Sequence, residues 1–276
     1  MFLWIALAFF GMILIGMPIA FALGITGLIG LMLTMGTSLL MLVPQQIFSG
    51  MNSFVLMAIP LFLLSGELMN VSGITERIVA FTNTLVGHRK GGLGHVNIVA
   101  NIFMAGISGA AVADAAALGT MLIPAMGKSG YSRPYSSALT AAASIIGPTI
   151  PPSMAMIVYG SVANTSIAGL FATGFLPGLL MGTLYMILNH RISSARGYQM
   201  QAEKASRAEV FKAMKDGIFA LFMPIIILGG ILSGIVTPTE AAGVAVGYAL
   251  FVGLFIFRTL TLRNIWEALK NTVAIS

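Results

Sequence analysis

One carboxylate lies inside a long apolar stretch of this chain. Residues 105–126 read AGISGAAVADAAALGTMLIPAM, in which Asp114 is the single charged residue. The whole chain is 58% hydrophobic and 8% charged, with a mean hydropathy of +0.97, whereas soluble proteins carry about 25% charged residues. This composition indicates an integral membrane protein. An ionisable group in hydrocarbon is costly, so Asp114 is expected to face protein, water or an ion path.

The basic residues on either side of this stretch predict that it enters and leaves the membrane on the same side. A basic pair at 89–90 precedes it, and Lys128 and Arg133 follow it, so the positive-inside rule makes both flanks cytoplasmic. About 11 helical residues, or roughly 16 Å, lead to the glycines at 106–109, which is half of a ~30 Å hydrocarbon core. We therefore predict a re-entrant hairpin over 95–127, with its turn at 106–109 near the bilayer midplane.

A second interruption follows in the sequence SIIGPTIPPS, residues 144–153. Again about 11 residues, or roughly 16 Å of helix, separate it from Arg133. Proline lacks a backbone donor and clashes with the preceding turn, so no continuous helix survives three prolines in five positions. This predicts a broken helix over 133–163. Two unwound sites at one depth are typical of secondary transporters.

The remaining segments predict further spans around these two breaks. Residues 1–35 are apolar and indicate either two short crossings or one long bent crossing. A polar stretch at 190–216, with six Lys/Arg against three acids, predicts a cytoplasmic linker. An interfacial helix is expected at 47–60, and it runs into a span that ends near Glu67. Three further spans are expected at about 166–191, 217–235 and 238–257. The chain is expected to end in an amphipathic helix at 262–276.

Charged residues near the predicted span ends are interpreted as helix starts or solvated groups. Ser72 and Glu76 form a capping signature for the helix that follows them. Glu240 lies in the first turn of a helix after Thr237-Pro238-Thr239. Glu67, Arg77 and the three histidines are expected to reach water.

The end of the chain is similar to its beginning. The pattern IWxxLxNxV at 265–273 follows Pro238 at about the distance at which IFxxMxSxV, at 47–55, follows Pro18. Counting crossings from the cytoplasmic loops gives the two copies opposite directions through the membrane. The two segments therefore predict an inverted repeat.

Three motifs together, GISGAAVADAAALG, GPTIPPS and TPTEAAGVAVGYAL, resemble the large membrane subunit of tripartite ATP-independent periplasmic (TRAP) transporters, the DctM-like family. The resemblance covers the whole length and implies an all-α polytopic membrane protein with an elevator-type fold of two inverted repeats. It divides this chain into scaffold and arm helices (1–88), half of a transport domain (89–193), a linker (194–216) and the start of a second repeat (217–276). The sequence stops before the family's second hairpin, so we expect a fragment or a truncated copy.

The resemblance also implies a function and its partners. Such subunits lie in the bacterial inner membrane and import organic acid anions, such as dicarboxylates or sialic acid, with sodium as the coupling ion. They work with a small four-helix membrane subunit and a periplasmic substrate-binding protein, and no cofactor is expected. The net charge of +6 does not predict nucleic-acid binding, because most basic residues lie in short loops where topology explains them.

Family resemblance places a sodium site between the hairpin tip and the second break. In this sequence the ligands would be the carbonyls of Gly147, Ile150 and Pro152, with Ser108 and Ala111 opposite. Na⁺ takes oxygen ligands, and an unwound run in a dry medium leaves carbonyls that need partners. Relatives often carry hydroxyl residues where this chain has two alanines after Gly109, which weakens the prediction of side-chain ligands there.

The substrate site is predicted at Ser108, Gly109, Asp114 and Ser153. Two alternatives stay open, because small residues also allow membrane helices to pack closely without any ligand, and the second break is also compatible with a simple kink. Asp114 in the first turn of the returning half-helix is equally compatible with capping free N–H groups. An anionic substrate would meet the exposed N–H groups of the half-helix ends rather than this carboxylate.

Other functional classes fit the residues less well. An intramembrane serine hydrolase would need a nucleophile motif, and no GxSxG surrounds Ser108; an aspartyl hydrolase would need a second carboxylate beside Asp114. A channel filter is normally repeated around a symmetric pore, whereas the two breaks differ in sequence. The main alternative is a sodium/dicarboxylate symporter of similar inverted-repeat plan that needs no binding protein.

Overall fold

The computed structural model describes residues 2–36, 40–198 and 204–276. The described residues form α-helices, one short π-helix and the loops between them, with no strand. The chain packs as two compact units, Met1–Ser53 and Phe54–Ser276. An all-helical architecture is the expected one for a polytopic chain, because a helix satisfies its backbone hydrogen bonds internally.

The first unit contains α1 (Phe2–Leu14), α2 (Ile19–Met35) and α3 (Leu42–Met51). Residues 1–35 therefore form two helices rather than one bent helix, and the break falls at Gly16-Met17-Pro18. The predicted interfacial helix at 47–60 is wrong in its bounds, because α3 starts earlier and ends at Met51.

The second unit holds the other ten α-helices. They are α4 (Ala58–Val71), α5 (Ile74–Val86), α6 (Gly92–Ser108), α7 (Ala111–Lys128), α8 (Arg133–Ser144), α9 (Met154–Val162), α10 (Ile167–Arg196), α11 (Arg207–Leu232), α12 (Pro238–Phe251) and α13 (Leu262–Ile275), with the π-helix Val252–Ile256 after α12. Three of them are long and apolar enough to cross a bilayer, namely α10, α11, and α12 with its π-helix. The pair α4 and α5, bent by 70°, qualifies as a fourth if it is one broken span.

Side-chain caps explain several helix starts. Thr237 and Glu240 form a reciprocal capping box at α12, which confirms that Glu240 belongs to an ordinary helix start. Ser206 and Glu209 form the same arrangement at α11. The capping box predicted at Ser72 is wrong, since the Ser72 hydroxyl donates to the Leu68 carbonyl at 2.6 Å and closes the end of α4 instead.

The helix α6 lies at the centre of the second unit. It packs against α4, α5, α7, α8, α10 and α11, and most of its residues are buried. The polar linker is shorter than predicted, because α10 continues to Arg196 and α11 already starts at Arg207. Part of the predicted linker, residues 199–203, lies outside the described residues.

Candidate ion and substrate site

The hairpin consists of α6 and α7, joined by Gly109 and Ala110. The turn is shorter and later than predicted, because Gly106, Ile107 and Ser108 are helical. Gly106 is a packing glycine, since a Cβ placed on it would lie 2.6 Å from Cγ of Pro224 on α11. The prediction treated this glycine as a helix breaker. Glycine inside a helix, however, lowers the stability of that helix by only about 1 kcal/mol relative to alanine, so the helix can continue through it.

The second break is the segment between α8 and α9, residues 145–153. It contains hydrogen-bonded turns, in which the carbonyls of Ser144 and Ile146 accept from Gly147 N–H at 3.0 Å and from Ile150 N–H at 2.9 Å. The Pro148 carbonyl accepts from the Ser153 hydroxyl at 2.6 Å. The break is therefore a defined loop and not a bent continuation of one helix.

The hairpin tip packs directly against this break. Gly109 has φ +59°, and a Cβ placed there would collide with the Pro152 carbonyl oxygen. A Cβ on Gly147 would lie 2.6 Å from Oδ2 of Asp114 and 3.6 Å from the carbonyl carbon of Ala110. Two interruptions that are about 40 residues apart in sequence thus share one place in the fold, and glycine on each side permits the contact.

Asp114 is fully buried behind the tip. Its Oδ1 accepts a hydrogen bond from the Ser108 hydroxyl, whereas its Oδ2 has no hydrogen-bond partner. The side chain caps no N–H group at the start of α7, so the capping alternative is not what the structure shows. Buried polar atoms are normally paired, so this oxygen beside Gly147 is available to a ligand.

Three buried residues of the break carry carbonyls that are not used within the protein. Among the described residues, no hydrogen bond is made to the carbonyl oxygens of Gly147, Ile150 or Pro152. In the same loop, the carbonyls of Ile146 and Pro148 accept hydrogen bonds, as described above, whereas none is made to those of Thr149 and Pro151 among the described residues. Unpaired carbonyls in a buried loop are costly unless something coordinates them.

A cavity of about 810 Å³ opens beside the tip. Ser108, Gly109, Ala111 and Asp114 line it from the hairpin, and Pro148 lines it from the break. The first turns of α7 and α9 both reach the cavity, through residues 111–114 and 154–155. A helix N-terminus presents free N–H groups, so two such ends at one cavity suit an anionic ligand.

The remaining predicted site residues lie farther from this cavity or have other partners. Ser153 is fully buried, begins α9, accepts from Met156 N–H at 3.3 Å, and does not line the cavity. The side chain of Ile150 packs on Gly178 of α10, so only its carbonyl could serve a ligand. The structure brings Ser108, Gly109 and Asp114 together with the second break. The Ser153 hydroxyl does not line the cavity beside them.

Sequence reasoning missed the helix that closes the other side of the cavity. Gly66, Glu67 and Asn70 of α4 line it, and a Cβ on Gly66 would lie 3.2 Å from Cα of Ser108. Glu67 is half-buried inside α4 and not a solvated residue at a span end, which corrects the prediction. The small pair Ser65-Gly66 was the available signal, because small residues mark close approach of helices.

Two other residues predicted to be solvated are also buried or packed. His95 is 3% exposed. The guanidinium carbon of Arg77 lies 3.6 Å from the centroid of the Phe257 ring, and one of its nitrogens donates to the Ser72 carbonyl at 3.3 Å. Arg77 therefore ties α5 to the end of the π-helix.

Polar side chains inside the protein fix the hairpin to its neighbours. Nδ2 of Asn97 on α6 donates to Oγ1 of Thr140 on α8 at 2.6 Å, and both residues are buried. Asn189 on α10 donates to the Gly91 carbonyl at 3.1 Å and accepts from the Tyr135 hydroxyl at 2.9 Å. These bonds hold the two half-helices in register, so the tip and the break meet.

The fold and the site together define a polytopic membrane transport protein built around discontinuous helices. Over residues 6–276 the chain matches the family described as tripartite ATP-independent periplasmic transporter, DctM component. It belongs to that family, and the family resemblance in its motifs is thereby confirmed. Members of this family are transport proteins of the inner membrane and not enzymes.

Several relatives are similar over nearly the whole chain. The sialic acid TRAP transporter large permease protein SiaM of Vibrio cholerae is 47% identical over 263 residues, which is 95% of this chain and 61% of the relative. The 2,3-diketo-L-gulonate TRAP transporter large permease protein YiaN of Escherichia coli is 42% identical, covering 94% of this chain and 60% of the relative. The C4-dicarboxylate protein DctM of Rhodobacter capsulatus is 31% identical, covering 98% and 65%. The chain thus spans about 60% of the length of the large permeases that it matches.

Proposed function

We propose that this chain forms part of a sodium-coupled permease that imports an organic acid anion delivered by a periplasmic binding protein. A small four-helix membrane subunit would be its partner in the bilayer. The hairpin α6–α7 and the broken helix α8–α9 would form half of a mobile transport domain, as the elevator-type plan of the family implies. Sodium is a co-transported substrate in this proposal and not a resident cofactor.

The unused carbonyls carry the sodium part of the proposal. Gly147, Ile150 and Pro152 present oxygens with no partner among the described residues, and they lie on the loop that contacts the hairpin tip. Oδ2 of Asp114 adds a fourth unpaired oxygen, which lies beside Gly147. Na⁺ is a hard cation that oxygen ligands satisfy. One carboxylate with neutral carbonyls suits a monovalent ion that must also be released.

The helix ends support the anionic part of the proposal. The first turns of α7 and α9 open into the cavity beside Ser108, and half-helix N-termini favour carboxylates. Sialic acid, diketogulonate and C4-dicarboxylates, which the names of the relatives give as substrates, all carry a carboxylate group. Because Asp114 is itself a carboxylate, an anionic substrate would bind to the helix ends and not to this side chain.

Uptake by proteoliposomes tests the proposal. The complete gene product is reconstituted with its small membrane subunit, and uptake of a labelled organic acid is measured with and without the binding protein, in sodium or potassium. We expect uptake only when sodium and the binding protein are both present. Uptake that does not change when the binding protein is omitted would contradict the proposal and favour a binding-protein-independent symporter.

A matched pair of serine variants assigns the ion to the tip. Ser108→Ala removes the hydroxyl beside Asp114, whereas Ser132→Ala removes an exposed hydroxyl at the start of α8. We expect the sodium concentration for half-maximal uptake to rise in Ser108→Ala and to stay at the parent value in Ser132→Ala. Equal sodium dependence of parent and Ser108→Ala would remove this hydroxyl from the ion site.

A further inference from the structure

A second pocket, unrelated to the hairpin tip, lies where the hairpin begins and α10 ends. It is an open pocket of about 670 Å³. Arg89 and Lys90 line it from the loop before α6, and His190 and Arg191 line it from α10. No acidic side chain is among its lining residues.

The three cations of this pocket form no ion pair with the part of the chain that the structure describes. Within residues 2–36, 40–198 and 204–276, the ion pair formed is Arg263 with Glu267, far along the chain. Arg89, Lys90 and Arg191 are exposed, so their three positive charges together produce a positive potential at this pocket. A cleft lined by one sign of charge attracts a counter-ion of the opposite sign.

A buried side chain, His95, lines the same pocket and has the Lys90 backbone as a polar neighbour. His95 is 3% exposed, and neither of its ring nitrogens has a partner that meets hydrogen-bond geometry. Its ring lies 6.1 Å from the ring of His190, centroid to centroid. Buried polar side chains are normally hydrogen-bonded, and the Lys90 backbone could serve at most one of the two ring nitrogens. His95 therefore leaves a buried polar atom for a ligand, which is an observation separate from the charges of the pocket.

The depth of the pocket and its apolar side match a lipid. About 20 residues of helix cross a ~30 Å hydrocarbon core, so a crossing that begins at Ile167 reaches the interface near Ile187. His190 and Arg191 then lie at headgroup level. Leu180, Leu184 and Ile187 are exposed and share one helix face with Arg191, so an apolar strip leads up to the cations.

We propose that this pocket binds the phosphate of an anionic phospholipid, with an acyl chain along the strip formed by Leu180, Leu184 and Ile187. Arg89, Lys90 and Arg191 contact the phosphate, and a ring nitrogen of His95 donates to a headgroup oxygen. The apolar strip favours a lipid over free phosphate, because only a lipid has an acyl chain that can contact it. The lipid would bind at the base of the hairpin, where Asn189 links α10 to the Gly91 carbonyl.

Lipid retention on the intact, delipidated protein tests this inference. Native mass spectrometry measures the affinity for phosphatidylglycerol and for phosphatidylcholine of the parent, of Arg89→Gln/Arg191→Gln, and of Lys128→Gln/Arg133→Gln. The control pair also removes two exposed cations, from the α7–α8 connection. We expect the pocket pair to bind phosphatidylglycerol about 30-fold more weakly, as loss of two basic contacts implies, with the control pair at the parent value.

A third variant keeps the test decisive if the double variant does not fold. Leu184→Ala shortens the exposed strip without touching a charge, and it should weaken phosphatidylglycerol binding severalfold. Equal affinity for phosphatidylglycerol and phosphatidylcholine in the parent would overturn the proposal, as would equal losses in the pocket pair and the control pair. Displacement of the lipid by an equal concentration of inorganic phosphate would also overturn it, because the site would then recognise phosphate alone.

Discussion

Replacing Gly109 with alanine should separate the two halves of the proposed ion site. Gly109 has φ +59°, a left-handed conformation that costs an L-residue about 1–2 kcal/mol. The added Cβ would also collide with the Pro152 carbonyl oxygen, which belongs to backbone and not to a flexible side chain. The tip or the break must therefore move, and an overpacking cost of roughly 1–3 kcal/mol comes on top of the backbone cost.

Gly130→Ala provides the control for this prediction. Gly130 has φ +85°, but a Cβ there would meet nothing within 4 Å, so only the backbone cost applies. In thermal unfolding of the purified protein, we expect a lower Tm for Gly109→Ala than for Gly130→Ala. The difference should be roughly 2–4 °C for each kcal/mol by which Gly109→Ala destabilises the protein more than Gly130→Ala does. Equal Tm values for the two variants would refute the packing of the tip against Pro152.

Two further predictions concern topology and the polar contacts of the hairpin. The chain has no cysteine, so single cysteines at Lys90 or Lys128 should resist an impermeant thiol reagent added outside cells; labelling of either would refute a hairpin entered from the cytoplasm. The Asn97–Thr140 bond should show a coupling energy of about 0.6 kcal/mol, and at most about 1.7, in a double-mutant cycle of Asn97→Ala and Thr140→Val followed by thermal unfolding. No measurable coupling would mean that α6 and α8 are held by apolar packing alone.

The sequence was sufficient to predict the helical breaks but not the contacts between them. The prolines at 148, 151 and 152 exclude a continuous helix on steric grounds, and the structure confirms an interruption there. Asp114 in an apolar stretch drew attention to the segment that forms α6 and α7, whereas re-entry into the membrane stays a prediction. Both inferences depend on local chemistry, which a sequence carries directly.

Features that depend on tertiary packing were predicted poorly. Gly106 was expected to break the helix, yet it is helical because it accommodates Pro224 from a distant segment. His95 was expected to reach water, yet α10 covers it. Ser72 forms no capping box because Gly73 is the residue that precedes α5, and the Ser72 hydroxyl donates to the Leu68 carbonyl of α4. The partners of Gly106 and His95 lie on distant segments and are not visible from residue spacing, whereas the Ser72 bond is local, to the residue four positions earlier.

Glu67 shows the same limit at the site itself. Counting residues placed it near the end of a span, whereas α4 continues to Val71 and directs this residue into the cavity beside the hairpin tip. The cavity beside the hairpin tip is formed by helices from distant parts of the sequence. Ser108, Gly109 and Asp114 of the predicted site line this cavity, but its far wall is formed by α4, whose packing on α6 the motifs do not show.

Sodium-dependent stabilisation measures the central claim most directly. A ligand at ten times its Kd stabilises the folded state by about 1.4 kcal/mol. The Tm of the parent protein should therefore rise when sodium is added and stay unchanged when potassium is added. Gly147→Ala places a Cβ 2.6 Å from Oδ2 of Asp114 and 3.0 Å from the Ser144 carbonyl, and it should abolish this gain. Gly127→Ala, where a Cβ meets nothing within 4 Å, should retain it. A parent protein with the same Tm in both salts, or a Gly147→Ala variant that keeps the full sodium gain, would contradict an ion site between the hairpin tip and the break.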